Sequence, residues 1–254
     1  MGLAMRFSKH LGLLVTICVV AFSVSACANP LPVPPSVDAL PTVTRKPSYN
    51  SCNTGGPHVA LTFDDGPHPQ LTPALLDLLA RRGVKATFYV IGKNVNAHPD
   101  IVARMVAEGH EIGNHTMNHP SLPKLGAAAV SAEISGTNDA IRNAAGVTPA
   151  TMRPPYGAIT PALTRRLNDE FGLSVILWSV DPQDWKIRKA GHVSQHLIDN
   201  AKPGAILLAH DIHPSTIEAM PAALDALLAK GYQFVTVSEL ITRDRPPEPG
   251  LQKP

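Results

Sequence analysis

Two adjacent carboxylates follow directly on an apolar segment near the start of the chain. Asp64 and Asp65 come after residues 59–63, whose composition is typical of a buried strand. Like charges at such a position repel each other and resist burial, so a positive partner is expected nearby. A bound metal ion would be such a partner. His115 and His119 can supply its ligands, because histidines four residues apart in a helical turn share a face and can bind one metal ion.

Two histidines and one carboxylate are a common protein part of a catalytic zinc site, which keeps a fourth position for water. The pair Asp64 and Asp65 offers that carboxylate. Each feature alone also has a structural interpretation. A pair of histidines at this spacing is commonly solvated or hydrogen-bonded, and adjacent aspartates commonly form a turn or cap a helix. The residue types therefore indicate a hydrolytic metal site without establishing it.

Further polar side chains follow other strand-like runs. Arg153 comes after Thr151 and Met152, Asp184 comes after a run that contains Trp178, and His210 ends an apolar run. Alone, Arg153 is typical of a surface charge with a packed stem, and His210 of a core or rim histidine. Functional groups of parallel α/β folds collect at the carboxyl ends of the strands, and this shared position favours a common site.

The elements that must position these residues alternate along residues 58–240. Strands are predicted at 59–63, 86–91, 111–114, 174–180, 205–209 and 233–237, and helices at 73–82, 99–108, 127–145, 161–171, 192–201 and 216–230. Proline near the start and glycine just past the end of several helical stretches support these bounds. Repeated strand–helix units predict an α/β fold with a mostly parallel sheet, either a barrel or a doubly wound layer.

The composition suits a globular protein with one fairly large domain. The chain has 254 residues, of which 44% are hydrophobic and 17% charged. Outside residues 1–27, basic and acidic residues balance at 20 each. A net charge near zero lacks the electrostatic footprint of a nucleic-acid-binding protein, so no nucleic-acid partner is expected.

The first 27 residues are predicted to be a signal peptide. A basic start precedes an apolar run over 11–24, which is too short for an ordinary membrane span. Val24-Ser25-Ala26-Cys27 resembles a bacterial lipobox and favours a lipid on Cys27, the expected link to the membrane. Ordinary cleavage after Ala28 is the alternative. Either way we expect an exported protein, held on the outer face of the cell membrane or released to the wall or medium.

The rest of the chain divides by composition. Residues 28–56 are predicted to be a Pro-rich tether, 57–242 the catalytic domain and 243–254 a Pro-rich tail. Cys18 leaves with the signal peptide. A lipid on Cys27 leaves Cys52 unpaired, whereas a free Cys27 makes a disulfide with Cys52 possible. The cysteines are too few and wrongly spaced for a metal site.

Five segments resemble the motifs of one family, in the family's order. They are Thr62-Phe63-Asp64-Asp65-Gly66-Pro67, His115-Thr116-Met117-Asn118-His119, Arg153-Pro154-Pro155-Tyr156, Asp181-Pro182-Gln183-Asp184-Trp185 and Leu208-Ala209-His210. The chain resembles the polysaccharide deacetylases of carbohydrate esterase family four, the NodB-homology domain, over residues 57–240. The resemblance implies a distorted (β/α) barrel with fewer than eight regular strands, a choice that the alternating pattern alone leaves open.

The resemblance also implies a metal site. Asp65, His115 and His119 would bind a divalent cation, with zinc expected first and cobalt, nickel or manganese as alternatives. Asp64 would act as the general base, and Arg153 would keep that carboxylate ionised and oriented.

The remaining roles concern the leaving group and the substrate. His210 would protonate the departing amine, with Asp184 supporting its imidazolium, and the backbone N–H of Tyr156 would face the oxyanion. Trp185 and Leu208 would form an apolar wall for the acetyl methyl, and Pro155 completes the predicted substrate contacts. His68, Asp211 and His213 lie close to these motifs and remain open between structural and supporting roles.

The function implied is metal-dependent removal of N-acetyl groups from a cell-envelope polysaccharide. N-acetylglucosamine in peptidoglycan is the first expected substrate, chitooligosaccharides are the second, and acetyl esters such as those of xylan are the third. A glycan-binding lipoprotein without catalysis is the alternative from another class. The sequence predicts no oligomeric state.

Overall fold

The computed structural model describes residues 46–245, in which strands and helices alternate. The strands are β1 (Ser48–Tyr49), β2 (His58–Asp64), β3 (Thr87–Val90), β4 (Glu111–Asn114), β5 (Thr151–Met152), β6 (Ser174–Ile176), β7 (Ile206–His210) and β8 (Gln233–Phe234). The helices are α1 (Leu71–Arg82), α2 (Gly92–Ala97), α3 (Pro99–Ala107), α4 (Ala127–Ala145), α5 (Pro161–Phe171), α6 (Ala190–Asn200), α7 (Pro214–Ala229) and α8 (Val237–Thr242). Across this described range, every helix is too short or too polar to span a bilayer.

The strands form one parallel sheet that curves into an incompletely closed barrel. Its order is β1-β6-β5-β4-β3-β2-β7, and β8 pairs with the start of β2. Among the described residues, two isolated bridges join the open sides: Val180, after β6, pairs in parallel with Leu207, and Ser51, after β1, pairs antiparallel with Ala205. This confirms the α/β class and the distorted (β/α) barrel. Because every strand pair is parallel, the carboxyl ends of the strands meet at one edge.

Alternation along β2 decides which side chains face the barrel interior. Val59, Leu61 and Phe63 pack in the large apolar core beneath the helices. Ala60 belongs instead to an inner cluster with residues of β1, β6 and α8. Since strand side chains alternate between faces, Asp64 shares the inner face with Ala60. The last residue of β2 therefore brings a carboxylate into the barrel interior, where it is 3% exposed.

Several elements have the predicted bounds, and two predicted strands are wrong in length. β4, α4 and α5 begin and end where the sequence predicts. The predicted strand over 174–180 ends at Ile176, where its partner β1 also ends, and Val180 rejoins the sheet only through an isolated bridge to Leu207. The predicted strand over 233–237 has two residues, because Thr236 and Glu239 form a capping box that begins α8 at Val237. Helix α2 was not predicted.

The last residues of the predicted tether are part of the folded domain, so the predicted boundary at residue 57 is too late. Tyr49 on β1 is 2% exposed, and the N–H of Cys52 donates to the carbonyl of Gly204 at 2.9 Å. The Asp244 carboxylate accepts from the N–H of Asn53 at 2.7 Å, which ties the two ends together.

Of the two cysteines in the disulfide prediction, only Cys52 lies in the described range. Burial raises the pKa of the Cys52 thiol to about 12. The signal peptide, Cys27 and its pairing or lipid, and tail residues beyond 245 lie outside the described range.

Candidate metal centre and active site

A cleft of about 410 Å³ opens where the strands end. Its walls are contributed by the ends of β2, β4 and β7 and by the connections that follow β4, β5 and β6. The lining residues are Asp64, Asp65, His115, His119, Pro154, Tyr156, Trp178, Asp181, Trp185, Leu208 and His210. Seven predicted site residues with acid–base or ligand character are thus joined at one edge. Five lie in the cleft wall, and Arg153 and Asp184 lie directly behind it, bonded to Asp64 and His210.

The two adjacent aspartates reach the same cleft although strand alternation would separate them. Asp65 lies just beyond β2 with φ 75°, a left-handed conformation that turns it out of the strand path. Asn94 holds this turn by donating its side-chain amide to the carbonyl of Asp65 at 2.8 Å. As a result, His115 Nε2 lies 3.8 Å from Asp64 Oδ2 and 3.4 Å from Asp65 Oδ1.

The two predicted histidine ligands lie on a loop, not on the helical turn that their spacing suggested. Thr116 and His119 both have left-handed backbones, with φ of 68° and 62°. Asn114 Oδ1 accepts from the N–H of Thr116 at 2.8 Å, and Thr116 Oγ1 accepts from the N–H of His119 at 3.0 Å. These side-chain bonds fold the loop tightly enough to bring the two imidazole centroids to 4.9 Å.

The tautomer of His115 is set by its surroundings. Its Nδ1 lies 2.7 Å from the carbonyl oxygen of Arg153, an acceptor only, so Nδ1 carries the hydrogen and donates it. Nε2 is therefore the ring nitrogen that faces Asp65, 3.4 Å from Oδ1, and in its deprotonated form it offers a lone pair to a cation. A backbone carbonyl in this position is the usual second partner of a metal-binding histidine.

The donor set fits a small divalent cation. Asp65 Oδ1 lies 3.4 Å from both His115 Nε2 and His119 Nε2. Ligands held about 2.0–2.1 Å from a tetrahedral zinc ion stand about 3.4 Å from one another. Asp65 Oδ1 is also buried without a hydrogen-bond partner among the described residues, as expected for an atom that a cation would satisfy.

The charges around this donor set favour the ligand forms. Burial alone would raise the pKa of Asp65, but the nearby histidines, His115 above all, lower it to about 2. Burial and the proximity of His115 lower the pKa of His119, so this imidazole is neutral near pH 7. A deprotonated carboxylate and neutral imidazoles are the forms that bind a metal.

Arg153 lies directly behind Asp64 and is completely buried. Its Nη1 donates to Asp64 Oδ1 at 2.6 Å and to Thr62 Oγ1 at 2.8 Å, and its Nη2 donates to the carbonyl of Leu177 at 3.0 Å. The guanidinium also lies 4.3 Å from the ring centre of Tyr89. Because all these partners are fixed, the Asp64 carboxylate has a permanent positive neighbour on the side away from the cleft.

Tyr89 itself depends on a glycine in the adjacent strand. A Cβ on Gly113 would lie 2.3 Å from the Tyr89 ring, so only glycine lets this ring lie flat against β4. The position of Arg153 is thus set by packing as well as by hydrogen bonds. Trp178, with its ring centre 5.6 Å from the guanidinium, lies on another side and also lines the cleft.

His210 and Asp184 form the second charged pair of the cleft. His210 Nδ1 lies 2.7 Å from Asp184 Oδ1. Burial alone would lower the pKa of His210, but the hydrogen bond and charge of Asp184 outweigh it and raise the pKa to about 9. His210 is therefore protonated near neutral pH. With Nδ1 bonded to Asp184, Nε2 is the ring nitrogen left for a group bound in the cleft.

The predicted substrate contacts are placed with one correction. Tyr156, Trp185 and Leu208 line the cleft, and the two aromatic side chains are 71% and 48% exposed. Pro155 is buried and is not among the residues that line the cleft, whereas the neighbouring Pro154 is. Tyr156 has a left-handed backbone with φ 61°, so the chain turns at the residue whose N–H was predicted to face the oxyanion.

The three residues left open lie around the starts of α1 and α7. His68 Nδ1 accepts from the N–H groups of Gln70 and Leu71 at 3.2 Å each, at the start of α1. Asp211 is fully buried and accepts from the Thr72 hydroxyl, and burial raises its pKa to about 7. His213 precedes α7, with its ring centre 5.8 Å from that of His210.

Five residues to which the sequence analysis assigned no role support the site from behind or, in the case of Trp178, line the cleft. They are Thr62, Tyr89, Asn114, Trp178 and Thr216, each of which contacts a predicted site residue or its backbone. Thr62 carried a readable signal, because it is a polar residue on the same strand face as Asp64. Tyr89 and Thr216 carried none, since their partners lie in distant segments.

Comparison with known proteins agrees with this geometry. The family model described as "Polysaccharide deacetylase" matches residues 51–176. The peptidoglycan-N-acetylglucosamine deacetylase PgdA of Listeria monocytogenes is 43% identical over 201 residues, which are 79% of this chain and 42% of that protein. The chain thus spans less than half the length of this relative.

Two further proteins match over most of their own length. A chitooligosaccharide deacetylase of Bradyrhizobium is 38% identical over 216 residues, covering 79% of this chain and 98% of the relative. The structure of the peptidoglycan deacetylase PdaC from Bacillus subtilis superposes with a TM-score of 0.71 at 37% identity, covering 75% of this chain and 93% of that one. With the motifs assembled at one edge of the barrel, these matches show that the chain belongs to the polysaccharide deacetylase family of carbohydrate esterase family four.

Proposed function

We propose that the chain is a metal-dependent hydrolase that removes N-acetyl groups from a cell-envelope polysaccharide and releases acetate. The observation that carries the proposal is the pairing of two features in one cleft. One is the set of three ligand atoms, which includes an Asp65 Oδ1 that has no hydrogen-bond partner within residues 46–245. The other is the protonated His210 held by Asp184. Hydrolysis of an amide needs both an activated water and an acid for the leaving amine.

Asp65, His115 and His119 would hold the cation, and zinc is the metal we propose, since two imidazoles and one carboxylate suit it. When bound, such a cation polarises a carbonyl and makes a bound water more acidic. Cobalt, nickel and manganese remain alternatives for the same ligands. Reconstitution of the metal-free chain with each ion, followed by acetate release, would rank them.

Asp64 would take the proton of the attacking water. Its Oδ2 lies 3.8 Å from His115 Nε2, beside the ligand set, while its Oδ1 is occupied by Arg153 at 2.6 Å. One oxygen is thus held from behind and the other is left toward the cleft. The charge of Arg153 keeps the carboxylate ionised, and the fixed hydrogen bond keeps it oriented.

His210 would protonate the departing amine. Its Nδ1 is held by Asp184, so the proton to be delivered is on Nε2 at the cleft side. The negative charge that develops on the carbonyl oxygen would face the N–H of Tyr156, at the left-handed turn of the chain. Trp185 and Leu208 would enclose the acetyl methyl, which removes apolar surface from water.

N-acetylglucosamine in peptidoglycan is the substrate we propose first. PgdA, at 43% identity, bears that substrate in its name. Chitooligosaccharides are the second candidate, because the relative that this chain covers to 98% is named for them. Acetyl esters such as those of xylan are the third.

Acetate release from peptidoglycan, chitotetraose and acetylated xylan, each with and without a chelator, separates the three. Release that continues unchanged after metal removal would refute the metal mechanism, and release from esters alone would refute the amidase.

A glycan-binding protein without catalysis is the alternative from another class. Asp64→Asn distinguishes the two, since it removes the base and leaves the three metal ligands in place. An enzyme loses turnover in this variant and keeps zinc and glycan binding. Wild type and variant that are equally inert and bind glycan equally would establish the binding protein.

We propose that the protein is exported and anchored by a lipid on Cys27. The proposal is supported by the basic start, the short apolar run and the lipobox-like Val24-Ser25-Ala26-Cys27. Cys27→Ser is expected to move the protein from the membrane fraction to the soluble one, as followed by fractionation and immunoblotting. Unchanged fractionation of Cys27→Ser would contradict the anchor.

A further inference from the structure

The carboxylate of Asp184 accepts three hydrogen bonds inside the protein. Oδ1 accepts from His210 Nδ1 at 2.7 Å, and Oδ2 accepts from the backbone N–H of His210 at 2.8 Å and from the Thr216 hydroxyl at 2.7 Å. Asp184 and Thr216 are both completely buried. Two donors therefore fix Oδ2, and their placement decides where Oδ1 points.

The hydroxyl of Thr216 behaves unlike that of an ordinary helical threonine. Thr137 in α4 and Thr164 in α5 donate to the backbone carbonyls four residues earlier, at 2.9 and 3.0 Å. Thr216, in the first turn of α7, donates instead to a side chain 32 residues away. The backbone N–H of Thr216 already has a partner, the carbonyl of His213 at 3.0 Å, so the helix start does not need this side chain.

The two donors to Oδ2 come from opposite ends of one short connection. His210 ends β7, and Thr216 lies in the first turn of α7. The terminal torsion of an aspartate is broad, so each fixed donor narrows the range of positions that the carboxylate can take. His210 supplies two of the three donors, and the Thr216 hydroxyl is the one that comes from α7.

We propose that Thr216 is a positioning residue for the acid pair: its hydroxyl fixes the Asp184 carboxylate so that Oδ1 meets His210 Nδ1. This inference rests on the proposed function, in which His210 acts as the acid. Thr216 acts on the reaction only through Asp184. It is expected to affect turnover and not substrate binding.

Thr216→Val tests this role, because valine keeps the shape of threonine and replaces the donor by a methyl. A methyl cannot approach an oxygen to 2.7 Å, so the carboxylate moves and the bond to His210 weakens. We expect kcat on peptidoglycan to fall about tenfold with KM unchanged. Thr216→Ser, which keeps the hydroxyl, is expected to restore most of kcat.

The acidity of His210 gives a second readout that needs no substrate. The titratable groups around His210 are Asp184 from the β6–α6 connection, Asp64 and Asp65 from the end of β2, His119 from the loop after β4, and Asp211 and His213 from its own connection. Thr216→Val leaves all six in the chain and disturbs only the first. Histidine NMR of the full-length chain is expected to show a lower pKa for His210 in Thr216→Val, and a wild-type pKa in Thr216→Ser.

Thr164→Val is the matched control, since it removes a buried helical hydroxyl that has no contact with the acid pair. It is expected to change neither kcat nor the pKa of His210. If Thr216→Val is less stable but has wild-type kcat and an unchanged or higher pKa at His210, Thr216 is merely structural and the proposal fails. An inactive wild type would refute the proposed function, and the NMR titration would still decide whether Thr216 positions Asp184.

Discussion

Two aspartates at the same cleft each face histidines, yet their surroundings are opposite: Asp65 is half-buried in the cleft wall, and Asp184 is fully buried behind His210. Both oxygens of Asp184 are bonded to donors from within the protein. Asp65 has a buried oxygen, Oδ1, with no hydrogen-bond partner in the described part of the chain. It lies 3.4 Å from the Nε2 atoms of His115 and His119, which carry no hydrogen to donate when they bind a metal. The acid pair is electrostatically complete, whereas the ligand set is built for a positive charge from outside.

The difference shows that similar residues acquire different roles through the donors around them. Asp184 holds its proton-bearing histidine by its own charge, and the raised pKa of His210 is the result. His115 cannot act in the same way, because the Arg153 carbonyl holds its Nδ1 hydrogen and leaves Nε2 facing Asp65. Variants that remove one partner on each side should therefore fail in different ways.

The largest effect is expected from Asp65→Asn. An amide keeps the size of the side chain and removes the charge that completes the ligand set. We expect loss of bound zinc, measured by elemental analysis, and a fall in kcat/KM of roughly 1,000-fold, or about 4 kcal/mol. Asp184→Asn is the matched variant on the other side and is expected to keep its zinc. Zinc retained by Asp65→Asn would contradict the assignment of the ligand set.

The next effect concerns stability and tests the support behind Asp64. Arg153→Met removes the buried positive partner and leaves Asp64 without compensation, so we expect a loss of about 3–5 kcal/mol in the free energy of unfolding. Arg142→Met is the control, because its ion pair with Asp139 is half exposed and should contribute less than about 1 kcal/mol. Urea denaturation measures both. Equal losses in the two variants would show that Arg153 has no special role in holding Asp64.

The sequence predicted which residues form the metal site and the acid pair better than it predicted the backbone conformation and the hydrogen-bond partners around them. Asp64, Asp65 and His210 stand at strand ends, where an apolar run gives way to polar residues, and the family motifs supply the rest. The helical turn proposed for His115 and His119 was wrong, because left-handed backbone at Thr116 and His119 depends on bonds from Asn114 and Thr116 that no periodicity encodes. Contacts such as Thr216 with Asp184 arise only when the barrel curves and brings distant segments together.

Stabilisation by added zinc is a smaller effect that should distinguish the ligand set of Asp65 from the acid pair of Asp184. A ligand that binds only the folded state stabilises it by about 2.7 kcal/mol at 100 times its dissociation constant. Zinc is therefore expected to raise the melting temperature of the wild type and of Asp184→Asn, but not that of Asp65→Asn. Differential scanning calorimetry of the metal-free chain before and after zinc addition measures this. An equal rise in all three would mean that zinc binds elsewhere.

The effect most specific to the acid pair is the dependence of stability on pH. His210 has a pKa of about 9 in the folded chain, above its ordinary value of 6.5, because Asp184 holds the proton. A group whose folded pKa is raised stabilises the fold fully below its unfolded pKa, and that contribution is lost as the pH rises through the folded value. The wild type should therefore lose stability relative to Asp184→Asn between about pH 6.5 and 9. Comparing the two metal-free chains at each pH by urea denaturation cancels the titration of groups they share.

The Arg153–Asp64 pair should show no such loss, since its arginine stays charged throughout this range. A constant difference between wild type and Asp184→Asn across the range would mean that the pair does not raise the pKa of His210, and that the acid must be held protonated by something else.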